Sequence, residues 1–210
     1  HGGEQARAAA PANATILEAA ADTTGEVTLT VVRSAAHPPR QDVAEPDDIA
    51  LFLHTSGTTS RPKGVPLSHA NLLASAGNVA ATYALTAQDV SLCVMPLFHV
   101  HGLVASTFAT LRSGGAIVVP PRFSAGAFWP TVKTHRVTWY SAVPTIHQVL
   151  LARAEEDQAP APGTSGLRLI RSCSSSLAPA TMEALEARFG VPVLEAYGMT
   201  EASHQMSSNP

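Results

Sequence analysis

Thr55-Ser56-Gly57-Thr58-Thr59-Ser60-Arg61-Pro62-Lys63-Gly64 gathers hydroxyls, glycines and one lysine into a single run. Glycine lets backbone approach an anion closely, and amides and hydroxyls donate to phosphate oxygens. Lys63 adds a compact positive charge. The run is not a Walker A loop, which needs Gly-Lys-Ser/Thr at its end; here Pro62 precedes Lys63 and Gly64 follows it. Its residues favour phosphate handling, against the plainer reading of a Ser/Thr/Gly surface loop.

Three further stretches carry reactive side chains. His99 and His101 lie two apart, so they share a face in extended chain. A metal pair there would need further ligands, and no Cys, His or carboxylate cluster is near in sequence. Arg171-Ser172-Cys173-Ser174-Ser175-Ser176 is rich in hydroxyls, which suits either hydrogen bonding to a ligand or an ordinary turn. Tyr197 and Glu201 are four apart. Taken singly, Tyr197 reads as a core or rim tyrosine and Glu201 as a solvated acid at a helix start.

The elements that must position these residues follow from periodicity. Val27–33 alternates apolar residues with Thr and predicts a strand. Residues 34–48 read as a Pro-containing linker, and residues 1–26 are Ala-rich and weakly patterned. Residues 49–54 form a short apolar strand, followed by a loop running to Pro66. Ser68 is placed to cap a helix to about Tyr83, with Leu72, Leu73, Ala76, Val79, Ala80 and Tyr83 on one face. Strands are expected at 91–95, 116–119, 137–141, 167–171 and 191–195. Helices are expected at 103–112, from Ser124 to His135 with Pro130 limiting its first turns, from Pro144 to about Glu156, and from Pro179 to Gly190. Phe123, Phe128, Trp129, Trp139, Met95 and Met199 read as core. The fold class is α/β, with strands and helices alternating around a mainly parallel sheet. Ligands then bind beyond the carboxyl ends of the strands, where the candidate loops lie.

Composition narrows the partners. The chain has 210 residues, 45% hydrophobic and 14% charged, with a formal net charge of −3. That supports a packed core and leaves no basic stripe for nucleic acid. Residues 90–111 carry no Asp, Glu, Lys or Arg, but Pro96, His99, His101 and Gly102 interrupt them, so no membrane segment is expected. Two distant cysteines, Cys93 and Cys173, suit a reducing compartment. With no signal segment visible, an intracellular site is expected, cytoplasmic or peroxisomal. Nothing in the sequence reports oligomeric state. Both ends read as cut from a longer chain.

Residues 55–64 resemble the signature of the acyl-adenylate-forming enzymes, which include acyl-CoA synthetases and 4-coumarate–CoA ligases. Met95-Pro96-Leu97-Phe98-His99 resembles the second core motif of that family, and Tyr197-Gly198-Met199-Thr200-Glu201 its third. The resemblance covers about residues 46–210 and departs mildly at Ser60, where most members have glycine. It is strongest toward the oxalate–CoA ligase branch, through His54, Ser60-Arg61, Phe98 to Gly102, Arg171 to Ser174 and Thr200 to His204.

The resemblance implies an ATP-dependent acid–CoA ligase that forms an acyl-adenylate and then a CoA thioester. It implies ATP and Mg2+, with coenzyme A as co-substrate. Thr55, Ser56, Gly57, Thr58, Thr59 and Lys63 would hold the outer phosphates. Thr200 would donate to the α-phosphate, Glu201 would help bind Mg2+, Tyr197 would lie against adenine, and Ser175 would border the nucleotide. His99 would line or gate the acyl pocket, with Ser174 and His204 in contact with the acid. Lys63, His99, Thr200 and Glu201 would carry the chemistry.

A histidine at 204 beside serine hydroxyls suits oxalate or another small polar acid, because an unpaired buried polar group against a fatty tail costs about 1–3 kcal/mol. Ligases for aromatic or medium- and long-chain acids are the alternative. An amino-acid-selecting domain is disfavoured, since residues 95–102 hold no Asp for an ammonium group. The resemblance also implies a partial large N-terminal domain: 1–48 as flank and linker, 49–210 as nucleotide-binding core. The ribose-gripping Asp and the small C-terminal domain with its catalytic lysine would lie beyond residue 210. The isolated piece is therefore expected to be inactive and marginally folded, which leaves an inactive nucleotide-binding fragment as a further alternative.

Overall fold

The computed structural model describes residues 3–22, 26–35, 43–55 and 62–209. It divides into two compact units, 1–44 and 45–210. In the first, a short helix α1 (Gly3–Ala9) precedes antiparallel strands β1 (Ile16–Ala21) and β2 (Val27–Arg33). Strand β2 falls where alternation predicts it. Helix α1 and β1 lie in the Ala-rich stretch, where neither apolar period is legible. Arg33 ties this unit together, donating through Nη2 to the carbonyl of Pro11 at 2.7 Å and through Nε to that of Ala14 at 3.2 Å.

The second unit opens with a hairpin of β3 (Ile49–Thr55) and β4 (Lys63–Ser68), in which Thr55 stands opposite Lys63. The loop expected to run to Pro66 is therefore corrected: Lys63–Ser68 is a strand. Val65 and Leu67 are buried in alternation, while Pro66 between them is exposed. A proline in a short run reads as a strand breaker, yet an edge strand tolerates it.

Helix α2 (His69–Thr82) starts as predicted at Ser68. The Asn71 amide donates to Ser68 Oγ at 3.3 Å, and the Ser68 amide to Asn71 Oδ1 at 3.1 Å. Asn here plays the part usually taken by Glu or Gln in a capping box. Leu72, Ala76, Val79 and Tyr83 are buried, but Leu73, placed on the same face by the sequence, is 57% exposed.

A six-stranded sheet follows, in the order β10-β9-β8-β7-β5-β6. Its strands are β5 (Val90–Cys93), β6 (Ala116–Val118), β7 (Trp139–Ala142), β8 (Leu169–Ser172), β9 (Val193–Met199) and β10 (His204–Ser208). All neighbours pair in parallel except β10, which runs antiparallel to β9. The mainly parallel sheet is as predicted; β10 was not foreseen. One face packs on helices α4 (Ala125–His135), α5 (Pro144–Ala152) and α6 (Pro179–Phe189). There Tyr140, Ile170 and Val193 meet Phe128, Trp129, Leu150 and Phe189, and Phe123 packs on their edge. On the other face Trp139 and Leu169 meet Val79, Tyr83, Ala105 and Ala109.

Several helix expectations need correction. The helix foreseen at 103–112 begins at His101; His101–Phe108 winds as a π-helix, and only α3 (Ala109–Arg112) is α-helical. Gly102 lets this segment start against the preceding loop, since a Cβ there would sit 2.5 Å from the Pro96 carbonyl oxygen. Ser124 stands at the N-cap of α4 without a side-chain hydrogen bond, and Pro130 lies inside that helix. Helix α5 ends at Ala152, short of Glu156. Met199 is 39% exposed, not core.

Asp89, buried before β5, joins three segments. Its carboxylate accepts from the Thr86 amide at 2.8 Å, Thr138 Oγ1 at 2.7 Å and Arg168 Nε at 2.8 Å. Burial raises its pKa, but these donors outweigh burial and the net shift is downward. Asp89→Ala strands the donors, so we expect a loss of about 1–3 kcal/mol in unfolding free energy by urea titration.

Candidate active site

Strand alternation builds the site's floor. On β7 and β8, Trp139 and Ser141 share a face with Leu169 and Arg171. The apolar pair near the strand starts thus gives way to a polar pair at the carboxyl ends. Arg171 is fully buried. It donates through Nε to Tyr83 Oη at 2.9 Å and through Nη1 to Ser141 Oγ at 2.9 Å. Its Nη2 reaches Gln205 Oε1 at 3.0 Å and His204 Nδ1 at 3.4 Å. None of these partners is an acid, and the guanidinium lies over the Tyr83 ring, 5.5 Å from its centroid.

Two histidines complete the cluster. His101, carried by the first turn of the π-helix, places Nε2 2.6 Å from Ser141 Oγ and Nδ1 2.9 Å from Ser174 Oγ. Its ring centroid is 5.3 Å from that of His204. Ser174 follows β8 at φ +74°, and His204 opens β10 at φ +112° after Ser203 at +56°. Non-glycine residues adopt such backbone only where the surroundings enforce it, often at functional sites. Part of the enforcement is visible: Ser75 Oγ donates to the Ser203 carbonyl at 2.8 Å. Burial, then the Arg171 charge, push His204 down to about 3. The same two causes, in that order, hold His101 well below the usual imidazole range. Both rings are neutral at pH 7.

A cavity of about 410 Å³ opens beside the cluster, lined by Ser174, Ser175, Ser176, Tyr197, Gly198 and Asn209 among others. Tyr197 is 62% exposed on it. A second cavity, of about 710 Å³ and mostly apolar, is lined by residues including Met95, Phe98, Pro120, Phe123 and Ile146. His99 is exposed beside it with its ring 4.7 Å from that of Phe98, and makes no side-chain hydrogen bond to the buried cluster.

The remaining candidates fall around this centre. Thr55 closes β3 and Lys63 opens β4, so the hairpin pinches the ends of the signature loop together. Ser56, Gly57, Thr58 and Thr59 lie outside the described residues, as do Ser60 and Arg61. Thr200 and Glu201 sit in a 3-10 turn (Thr200–Ala202) between β9 and β10, and β4 packs against that turn. Lys63 and Glu201 are both exposed. Ser174, Ser175 and Tyr197 line one cavity, whereas His99 stands apart. Sequence reasoning missed Tyr83, Ser141, Arg171 and Gln205 as members of the site, and left His101 without a role. Only Arg171 gave a local signal, a charge closing an apolar strand.

Residues 3–210 match the model of the AMP-binding enzyme family. The chain belongs to that family. It is 57% identical over 171 residues to an oxalate–CoA ligase of Arabidopsis thaliana, covering 80% of this chain and 33% of that protein. It is 46% identical over 173 residues to a sulfoacetate–CoA ligase of Cupriavidus necator, covering 82% and 32%. Among solved structures it is similar to the O-succinylbenzoate coenzyme A synthetase MenE of Bacillus subtilis, in complex with ATP and magnesium. That match has a TM-score of 0.72 at 30% identity and covers 85% of this chain and 36% of MenE. The chain spans about a third of the length of these relatives. No helix among the described residues is long and apolar enough to cross a membrane.

Proposed function

We propose that this chain is the nucleotide- and acid-binding part of an ATP-dependent, AMP-forming acid–CoA ligase for a small polar acid, oxalate first. The observation that carries this reading is the buried Arg171–His204–His101–Ser174 cluster, a positive charge with no acid among its hydrogen-bond partners, which meets a cavity rich in hydroxyls through Ser174; Glu195 is the one carboxylate on that cavity's wall. A second anionic group on the substrate is what such a cluster lacks, and the oxalate–CoA and sulfoacetate–CoA ligases named above take acids that carry one.

Bound Mg-ATP would supply an electrophilic α-phosphate for the carboxylate, with pyrophosphate leaving; coenzyme A thiolate would then displace AMP. The residues present fit the nucleotide. Tyr197 offers an exposed aromatic face to adenine, with Ser175 on the same cavity wall. Thr200, in the turn against which β4 packs, and Lys63, at the start of β4, would meet the phosphates with Thr55 and Ser56 to Thr59. No group of three or more His, Cys, Asp or Glu among the described residues can hold a metal by itself. That suits Mg2+, which keeps waters and binds through phosphates with one or two carboxylates; Glu201 would be the carboxylate. His99 would border the acyl entrance. Two buried free cysteines suit an intracellular, reducing compartment, cytoplasmic or peroxisomal.

A second reading, a ligase for aromatic or medium- and long-chain acids, draws on the larger apolar cavity beside Phe98. Pyrophosphate release by the full-length enzyme separates the two, with oxalate, malonate, acetate, octanoate and coumarate as acids. We expect oxalate to be preferred, and His204→Ala to raise its KM by about tenfold to a hundredfold, as loss of one hydrogen bond to a charged group implies. Preference for octanoate or coumarate would discard the small-acid reading. ATP binding without adenylation of any acid would leave an inactive nucleotide-binding protein.

A further inference from the structure

The hydrogen-bond cluster has a direction, and Arg171 sets it. A guanidinium has only donors. Its hydrogen bond to Ser141 Oγ therefore uses that oxygen as acceptor. Ser141 is fully buried, and its hydroxyl hydrogen has one further neighbour, His101 Nε2 at 2.6 Å. If Nε2 carried a hydrogen, the Ser141 hydroxyl would be left with nowhere to donate, a state that buried polar groups avoid. Hence Ser141 donates to His101 Nε2, and the neutral His101 carries its proton on Nδ1. That proton points at Ser174 Oγ, 2.9 Å away. Ser174 accepts, which frees its own hydroxyl hydrogen for the cavity it lines. In parallel, Arg171 Nη2 faces His204 Nδ1 and makes that nitrogen an acceptor, leaving the His204 hydrogen on Nε2.

We propose that Arg171 and Ser141 are positioning residues for the acid pocket. Through a one-way relay, Arg171 to Ser141 to His101 to Ser174, they hold the Ser174 hydroxyl as a hydrogen-bond donor toward the cavity that Ser174 lines, where the acid substrate would bind. The pocket then favours a group that only accepts, a carboxylate or sulfonate, over an ammonium, which can only donate. Ser174 makes this contact from left-handed backbone, φ +74°, with its Oγ 2.9 Å from His101 Nδ1. The inference deepens the small-acid reading and rests on it for the identity of the ligand. The tautomer of His101 does not depend on that reading.

Two measurements on the full-length enzyme test it. Histidine-labelled 15N spectra of the wild type, with His101 assigned by His101→Gln, should show His101 as the Nδ1–H tautomer, and Ser141→Ala should shift it toward Nε2–H. Pyrophosphate-release kinetics should show Ser141→Ala raising KM for oxalate at least about tenfold more than KM for acetate, as expected when a buried hydrogen-bond donor is lost. Arg171→Lys, which keeps a donor-only cation, should recover part of the oxalate preference lost in Arg171→Met. An Nε2–H tautomer in the folded wild type would overturn the relay whatever the substrate. Equal KM changes for oxalate and acetate in Ser141→Ala, with the midpoint of unfolding unchanged, would overturn its role in selection. Failure of every acid to release pyrophosphate would instead sink the ligase reading, leaving the tautomer result to judge the relay.

Discussion

Gly198→Ala is expected to abolish acid-dependent pyrophosphate release and to lower the stability of the fold together. Gly198 lies in β9 opposite Gln205 of β10. A Cβ at this position would run into the backbone carbonyl of His204 and lie 3.2 Å from the Gln205 Cα. Backbone cannot rotate away as a side-chain tip can, so the two strands must separate. Overpacking of this kind costs about 1–3 kcal/mol, or more where main chain is the obstacle.

The displaced residues matter more than the energy. His204 and Gln205 are acceptors for Arg171, and Gly198 is flanked by Tyr197 and Met199, which lead into Thr200 and Glu201. One methyl group thus disturbs both the acid pocket and the proposed nucleotide contacts. Urea unfolding and pyrophosphate release on the same preparation check this. A wild-type midpoint with wild-type activity would show that β9 and β10 do not pair in this register.

Acid should destabilise the chain steeply below pH 6.5. In the folded chain burial pushes His147 down to about 4, and burial followed by the Arg171 charge pushes His204 down to about 3. His101 is held well below its ordinary value for the same reasons. Unfolded histidine titrates near 6.5. Between those values the unfolded chain binds more protons than the folded one, so stability is complete above the unfolded pKa and falls as pH drops.

Each histidine contributes a slope of up to ~1.4 kcal/mol per pH unit in that window, or about 2 kcal/mol between pH 7 and pH 5. Three such groups would remove a large part of the 5–15 kcal/mol or so that holds a typical domain together. Urea midpoints at pH 7.5, 6 and 5 should fall progressively, and His147→Gln should flatten the dependence. Midpoints that stay level to pH 5 would mean that these rings are not held neutral. Neighbouring groups sharpen the expectation. Arg171 is the charge in contact with His204, and the partner of His147 Nδ1 is Tyr140 Oη at 3.1 Å, whose own ionisation burial pushes upward.

Much of the scaffold was legible because its signals are local. Ser68 and Asn71 close a cap within one turn, and the stripe through Leu72, Ala76 and Val79 needs only the helical period. Gly190 ends α6 at φ +67°, a conformation that glycine adopts without strain. The short apolar runs around Leu92, Tyr140, Ile170 and Val193 read as buried strands because a parallel sheet is covered on both faces. Strand β4 was hidden by Pro66. Strand β10 was hidden by its polar composition, His204-Gln205-Met206-Ser207-Ser208, which becomes a strand only because the edge of β9 is there to pair with it.

The site divides along the same line. By itself, the sequence determined the family motifs, the signature run from Thr55 to Gly64, and the hydroxyl-rich turn at Ser174 to Ser176, because each is a contiguous string whose chemistry travels with it. Only the tertiary structure decided that Arg171 meets Tyr83, Ser141, His204 and Gln205, residues spread over more than a hundred positions of chain. It also decided that His101, not His99, enters the buried cluster. Two histidines a step apart look alike in sequence. The winding of the π-helix from His101 turns that ring toward Ser141 and Ser174, while His99 is left at the surface against Phe98.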